Sequence, residues 1–266
     1  MATPTNRKIV EGIKPGLRVF VSAGASGIGR AIADMLILHG ARLHVCDVSD
    51  EFLADFAKAH PQHKATRADV SSESDVAALF REVKASLGGL DALINNAGIA
   101  GPTGGVDEIS FADWRRCIDV GLNGQFLCAH HAVPMLKAAG GGAIVNMSSA
   151  AGRHGYAFRT PYAVAKWGVI GFTQSLAKEL GPANIRVNAI LPGIVEGKRI
   201  ENVINARAKQ LGISYTEMET KYLERVSLRR MVSPHDVAAM VAFLLSPMGE
   251  NLSGQSLGVD GNVETL

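Results

Sequence analysis

LRVFVSAGASGIGRAIADMLILHG, residues 17–40, decides the fold. Residues 17–22 form an apolar run of strand length. A short turn follows, and residues 27–39 carry Ile28, Ile32, Met35 and Leu36 at helical spacing, with Gly40 where a helix should stop. Strand, glycine-rich turn and helix are the opening of a βαβ unit. Glycines in such a turn let the backbone approach a pyrophosphate, and the free N–H groups of the next helix point at that anion. A tight turn that holds no ligand would read the same way.

The same rhythm runs through the chain. Further apolar runs at 42–46, 65–68, 90–94, 143–147, 185–191 and 255–259 read as strands. Between them lie helical patterns at 49–59, 72–87, 111–137 (interrupted near Gly121 and Gly124), 161–180 and 234–245. Strands alternating with long helices imply a doubly wound, mostly parallel sheet, and continuous apolar strands imply helices on both faces. With no repeat and no linker-like stretch, residues 1–266 read as one domain. The segment 197–228 breaks the rhythm with two charged helical stretches, 200–211 and 216–225, just past a strand end. Ligands of open α/β sheets bind beyond strand carboxyl ends, so this insert reads as a helical lid.

Composition narrows the classes. Hydrophobic residues make up 47% and charged residues 20% of the 266, which excludes a disordered or fibrous chain. Lys and Arg number 27 against 25 Asp and Glu, with no basic run of the kind that grips nucleic acid or a membrane surface. Cys46, Cys117 and Cys128 are odd in number, far apart and set in apolar segments, so they read as buried thiols, not as disulfides or a metal site. Residues 1–12 lack the apolar core of a leader, and no run of 18 apolar residues suggests a membrane span. The expected compartment is the cytoplasm.

Three further positions carry chemistry. Asp47 lies 18 residues beyond Gly29 at the end of the second strand. A carboxylate there accepts hydrogen bonds from ribose hydroxyls and repels a 2′-phosphate, favouring NAD over NADP; an exposed turn residue is the plainer alternative. Tyr162 and Lys166 stand one helical turn apart on one face. Each unit by which a phenol pKa falls needs about 1.36 kcal/mol. One cation at about 4 Å, with an effective dielectric near 20, supplies about 4 kcal/mol. Such a phenol moves protons near working pH. Tyr and Lys at this spacing also recur on helices by chance. Ser149, 13 residues before Tyr162 at a strand end, is placed to hold the reacting oxygen.

Taken together, the glycine turn ending Gly27-Ile28-Gly29, Asp69-Val70, Asn95-Asn96-Ala97-Gly98, Asn146-Met147-Ser148-Ser149, Tyr162-x-x-x-Lys166 and Pro192-Gly193 resemble the short-chain dehydrogenase/reductase family, in order and spacing, from residue 17 to 261. The resemblance implies a Rossmann-type parallel sheet of seven strands. It also implies hydride exchange between a nicotinamide cofactor and a secondary alcohol or ketone. By position, Tyr162 is the general acid/base. Lys166 lowers its pKa and binds the nicotinamide ribose, and Ser149 orients the substrate oxygen. Gly24, Ser26, Gly27, Ile28 and Gly29 bind the phosphate and ribose portion, Asp47 reads the ribose, and Asp69 and Val70 flank the adenine. Asn95, Ala97 and Gly98 line the cleft, and Val195, past Pro192 and Gly193, meets the carboxamide through its backbone. The two long helices imply a dimer or tetramer, with Trp114, Phe126, Trp167 and Phe172 on that surface or in the core.

Departures from the pattern matter. Ala23 stands where the family has its first glycine, with Gly24 beside it to allow the turn, and Gly197 stands where it usually has Thr. Gly121 replaces an Asn whose proposed task is to hold a water beside the lysine. Gly121 keeps the backbone carbonyl and lacks the amide, and Asn123 points off that face of a regular helix. The expectation is a slower proton relay with hydride transfer retained. Arg153, His154, Tyr156, Arg159, Lys198 and Arg199 flank the reacting groups. They suit a polar hydroxylated or anionic substrate, unless most face solvent or a neighbouring subunit; Glu196 cuts against a wholly anionic pocket. The alternatives are an NADPH-dependent 3-oxoacyl thioester reductase and a nucleotide-binding protein with impaired catalysis.

Overall fold

A computed structural model describes residues 11–263. Residues 1–10, most of the stretch read for a leader, lie outside the described residues. The elements run β1 (Arg18–Ser22), α1 (Gly27–Leu38), β2 (Arg42–Asp47), α2 (Asp50–Ala59), β3 (Lys64–Arg67), α3 (Glu73–Leu87) and β4 (Ala92–Asn95). They continue as α4 (Phe111–Ile118), α5 (Gly124–Ala138), β5 (Gly142–Met147), α6 (Thr160–Leu180), β6 (Ile185–Pro192), α7 (Lys198–Leu211), α8 (Tyr215–Leu223), α9 (Pro234–Leu245) and β7 (Ser256–Val259). The strands form one sheet in the order β3-β2-β1-β4-β5-β6-β7, every pair parallel. This is a Rossmann-type sheet.

Alternation along the strands builds a core on each face. Val19 and Val21 of β1 pack with Ile32 and Leu36 of α1, Phe56 of α2 and Val237 and Val241 of α9. Phe20 between them faces the other way, onto Leu79 and Phe80 of α3 and Ala132 and Leu136 of α5. Each large apolar side chain so buried contributes about 1.5–3 kcal/mol before entropy is counted. Residues 197–228 form a third, smaller cluster. There Ile204 and Ala208 of α7 and Met218 and Tyr222 of α8 pack with Ala150, Ile194 and Val226. α8 starts earlier than its apolar pattern suggests because Ser214 and Glu217 form a reciprocal capping box.

The interruption expected near Gly121 and Gly124 in the helix over 111–137 takes the form of a π-helical turn at Asp119–Asn123, which divides α4 from α5. Gly121 and Gly124 are poor helix formers, so the wider turn disturbs little that propensity had stabilised. Packing adds to this: a Cβ at Gly124 would lie 2.8 Å from a methyl of Val70.

The junction of β1 and α1 is a tight approach of backbone to backbone. A Cβ at Gly29 would stand 2.0 Å from the carbonyl oxygen of Ala23 and 2.6 Å from Nδ2 of Asn96. The first turn of α1 can press onto the preceding turn only because residue 29 has no side chain. Gly29→Ala is expected to lower Tm by roughly 2–12 °C, the span that about 1–3 kcal/mol of overpacking gives at this chain length. Calorimetric melting of the two proteins checks it.

Candidate active site

The carboxyl ends of β1 and β4 lie side by side, and the chain leaves them in opposite directions. Ser22 closes β1: its hydroxyl accepts the N–H groups of Asn96 and Ala97, each at 3.0 Å. The amide of Asn96 donates to the carbonyls of Ser22 and Ala23, both at 3.1 Å. Asn96, quoted in the motif but given no task there, is therefore the clamp on the glycine turn. The turn is not made as expected. Ala23 itself takes the left-handed conformation, φ +48°, and Gly24 serves close approach instead, since a Cβ there would lie 2.8 Å from Val45. Gly27, at φ +52°, has open space where a side chain would be.

A dinucleotide fits what surrounds this turn. The cradle at Gly27 and the N-terminus of α1 suit a pyrophosphate. At the end of β2, Oδ1 of Asp47 accepts from the N–H groups of Val48 at 2.8 Å and Ser49 at 3.3 Å. Its Oδ2 is buried without a partner, ready for a hydroxyl donor. Arg67, beside Asp47 in the sheet register, instead reaches Asp50 at 3.5 Å. The carboxylate of Asp69 is occupied by Ser71 and by Arg116 at 3.0 Å. Burial pushes its pKa up, but these partners outweigh that and leave it below the ordinary value. Val70 is buried against Gly124. Asn95 differs from expectation: it is wholly buried, its amide donating to the carbonyl of Gln125 at 3.2 Å and to Asn146 at 2.9 Å. It braces the cleft from below; Gly98, against Nζ of Lys166, is the residue beside the cleft's cation.

Tyr162, Lys166 and Ser149 come together. Lys166 is 4% exposed, and its ammonium donates to the carbonyl of Met147, the last residue of β5, at 2.8 Å. That ammonium lies 5.7 Å from the centre of the Tyr162 ring. The hydroxyl of Ser149 lies near enough to the phenol to lower its pKa, and its oxygen accepts the N–H of Ala151 at 3.2 Å. Burial pushes the Tyr162 pKa up; Arg199, Lys166, Ser149 and Arg159 together overcome it, and the phenol ends below its ordinary value. Burial pulls the Lys166 ammonium down, and the attraction of Tyr162 only partly restores it. The cation on which the sequence argument rests is thus one of three. The guanidinium carbons of Arg159 and Arg199 lie 5.4 and 5.8 Å from the same ring centre.

Other groups fall where their neighbours dictate. Gly193 sits so close to Asp260 that a Cβ would be 2.7 Å away, and its N–H bonds Val259. Pro192 is buried at the end of β6, and Val195 pairs with Val232. Arg153 turns away to the carbonyl of Ser256, and Tyr156 bonds Tyr222 of α8 at 3.1 Å. Gln125 carries a signal that no motif held. It is 2% exposed, and its amide donates to the carbonyls of Gly121 at 3.4 Å and Met147 at 3.1 Å. It therefore shares the Met147 carbonyl with Lys166 and caps the carbonyl inside the π turn. Asn123 bonds Asp119 instead.

Comparison with known proteins agrees with this arrangement. A family model described as enoyl-(acyl carrier protein) reductase matches residues 22–263. Cis-4-hydroxycyclohexanecarboxylate dehydrogenase of Sinomonas cyclohexanicum is 38% identical over 91% of this chain and 94% of its own length. Among solved structures, NAD+-bound xylitol dehydrogenase superposes with a TM-score of 0.88 at 28% identity, covering 93% of this chain and 99% of that one. A variant of actinorhodin polyketide ketoreductase with NADPH superposes at 0.89 with 31% identity, covering 93% and 97%.

The role of Gln125 can be tested on stability alone. Gln125→Leu keeps the volume and removes the amide donor from the buried carbonyl of Gly121, while the Met147 carbonyl keeps Lys166. Chemical denaturation is expected to show a loss of about 1–3 kcal/mol, the penalty for an unsatisfied buried acceptor.

Proposed function

The chain belongs to the short-chain dehydrogenase/reductase family, oxidoreductases of alcohols and ketones, and we propose that it transfers a hydride between NAD(H) and a polar or anionic secondary alcohol or its ketone. The observation that carries this reading is the phenol of Tyr162, its ring 5.7 Å from the buried ammonium of Lys166 and its pKa lowered by that cation and by the neighbouring Ser149.

When bound, the nicotinamide ring supplies the hydride acceptor for oxidation and the donor for reduction. The residues handle the oxygen and its proton. In oxidation, the phenolate of Tyr162 takes the proton of the substrate hydroxyl while the hydride leaves the same carbon, so the alcohol becomes a ketone. Ser149 donates a hydrogen bond to that oxygen. Lys166, held by the Met147 carbonyl, stabilises the phenolate and is the residue proposed to bind the nicotinamide ribose. Gly24, Ser26, Gly27, Ile28 and Gly29 are proposed to cradle the phosphates, Asp47 and Asp69-Val70 the adenosine, and Pro192, Gly193 and Val195 the carboxamide side. α7 and α8 are proposed to cover the substrate as part of the same domain. Self-association is proposed through the outer face of α5 and α6, where Phe126 and Trp167 are exposed. No helix among the described residues is long and apolar enough to cross a membrane.

The relative from Sinomonas cyclohexanicum acts, by its name, on a hydroxylated ring that bears a carboxylate, which supports a polar or anionic substrate. The NADPH-bound ketoreductase keeps an NADPH-dependent reductase as the second reading. The buried, unpaired oxygen of Asp47 argues against it, because a 2′-phosphate there would meet a carboxylate.

Reduction of NAD by a panel of hydroxylated acids and ring alcohols, followed by absorbance, tests the reading. Turnover is expected to rise with pH to a plateau whose midpoint lies below the ordinary tyrosine value of about 10. Tyr162→Phe is expected to cut kcat by about 10²–10⁴-fold while NAD still binds. Asp47→Ser is expected to weaken NAD binding and to narrow the preference over NADP by about tenfold, one charge-assisted hydrogen bond. Tighter binding of NADP than NAD by the natural protein would reverse the choice of cofactor.

A further inference from the structure

We propose that Arg159, assisted by Arg199, is a carboxylate-binding subsite beside Tyr162, so that the substrate is a secondary alcohol or ketone carrying a carboxylate. The proposal rests on the redox reading above and goes further, naming the group that is recognised and the residues that recognise it.

Arg159 is placed where an arginine is costly. It is 4% exposed, at the residue that precedes the first turn of α6. One terminal nitrogen donates to the carbonyl of Ala100 at 2.5 Å. Its Nε is buried and has no acceptor. The guanidinium lies 5.3 Å from the ring centre of Tyr156 and 5.4 Å from that of Tyr162, so aromatic faces contact it on two sides. Arg199, exposed at the start of α7, donates to the carbonyl of Gly98 at 3.2 Å and stands 5.8 Å from the Tyr162 ring. With Lys166, three cationic side chains surround one phenol.

No acidic side chain balances them. The five ion pairs among the described residues join Arg18 to Asp91, Arg30 and His60 to Asp34, Arg67 to Asp50 and Arg116 to Asp69. Carbonyl oxygens and ring faces offset part of the desolvation of a guanidinium, which stays charged at any working pH. They leave the Nε–H of Arg159 without an acceptor, while Nη2, the other nitrogen of the edge that pairs side by side with a carboxylate, is engaged by the carbonyl of Ala100 through one of its two hydrogens. A buried Arg with its Nε unpaired, beside the ring of Tyr162, is a binding site for an anion carried on the substrate. The cofactor's own phosphates are proposed to lie at the glycine turn and the N-terminus of α1, away from the start of α6.

Titration calorimetry of the NAD-saturated protein with cyclohexanecarboxylate and with cyclohexanecarboxamide tests this. Neither probe has a hydroxyl to oxidise, so binding is read without turnover. The carboxylate is expected to bind at least about tenfold tighter than the amide, as one charge-assisted pair gives. Arg159→Met is expected to bring the two within threefold of each other, Arg159→Lys to keep part of the preference, and Arg199→Met to reduce it. Should Arg159→Met fail to fold, judged by circular dichroism and NAD binding, the Lys and Arg199 variants carry the test. Equal affinity for acid and amide, an unchanged ratio in the variants, or no binding of either probe would overturn the proposal. Tyr162→Phe separates the two readings, because it should remove alcohol oxidation and leave carboxylate binding in place. Carboxylate preference without turnover of any alcohol would retain the subsite and sink the redox assignment; turnover without preference would do the reverse.

Discussion

The reversal of strand order between β1 and β4 is the constraint from which the site follows. β1 hands the chain through α1 to β2 on one side, while β4 leads on toward β5 on the other. No crossover covers the carboxyl ends at that boundary, so a crevice opens there. The chain must then hold two strand ends together without a helix above them. Ser22 and Asn96 do so with four hydrogen bonds across the gap. Gly29 allows α1 to start within contact of the same turn. The open space at Gly27 and the unpaired oxygen of Asp47 lie at this junction.

The chemistry at the far side of the crevice is electrostatic. A chain with a formal charge of only +2 gathers three cations around one phenol. Within a poorly solvated site each acts more strongly than it would in water. Their sum, with the neighbouring Ser149 hydroxyl, reverses the effect of burial on Tyr162. Lys166 has its ammonium fixed by the carbonyl at the end of β5, so its position is set by the sheet and not by a flexible surface. One strand end therefore bears on both residues: Met147 holds the lysine, and Ser149, two residues on, lowers the pKa of the phenol.

Gly121 shows how a local loss is met from elsewhere. A regular helix would leave its carbonyl bonded within the helix and Asn123 directed away. The π turn widens the backbone here, and Gln125 swings its amide onto the Gly121 and Met147 carbonyls. The carboxamide that caps this position thus comes from one turn further on. The backbone carbonyl of Gln125 accepts from the buried amide of Asn95, which donates on to Asn146 and through it connects with Thr173 in the middle of α6. The helix that carries Tyr162 and Lys166 is tied by these polar contacts to β4, β5 and α5.

Period-2 and period-3.6 patterns, the glycine turn and Tyr162 with Lys166 were legible because each depends on residues close together in the chain. The single parallel sheet of seven strands agrees with that reading. The break in the long helix near Gly121 and Gly124 was legible as well; its π form was not, since Val70 packing against Gly124 is a contact across the fold. Nor were the clamp of Asn96, the burial of Asn95 or the amide of Gln125, whose partners lie on other strands. Arg159 and Arg199 were visible as positive residues, but charge on a sequence carries no depth. By itself the sequence determined the layered α/β architecture and the placing of Tyr162 and Lys166 on one helical face, because local periodicity and one-turn spacing are short-range properties of the backbone. Tertiary structure alone decided which cations lie beside the phenol and which polar atoms are left without partners, because burial and field strength depend on everything packed around a group, whatever its distance along the chain.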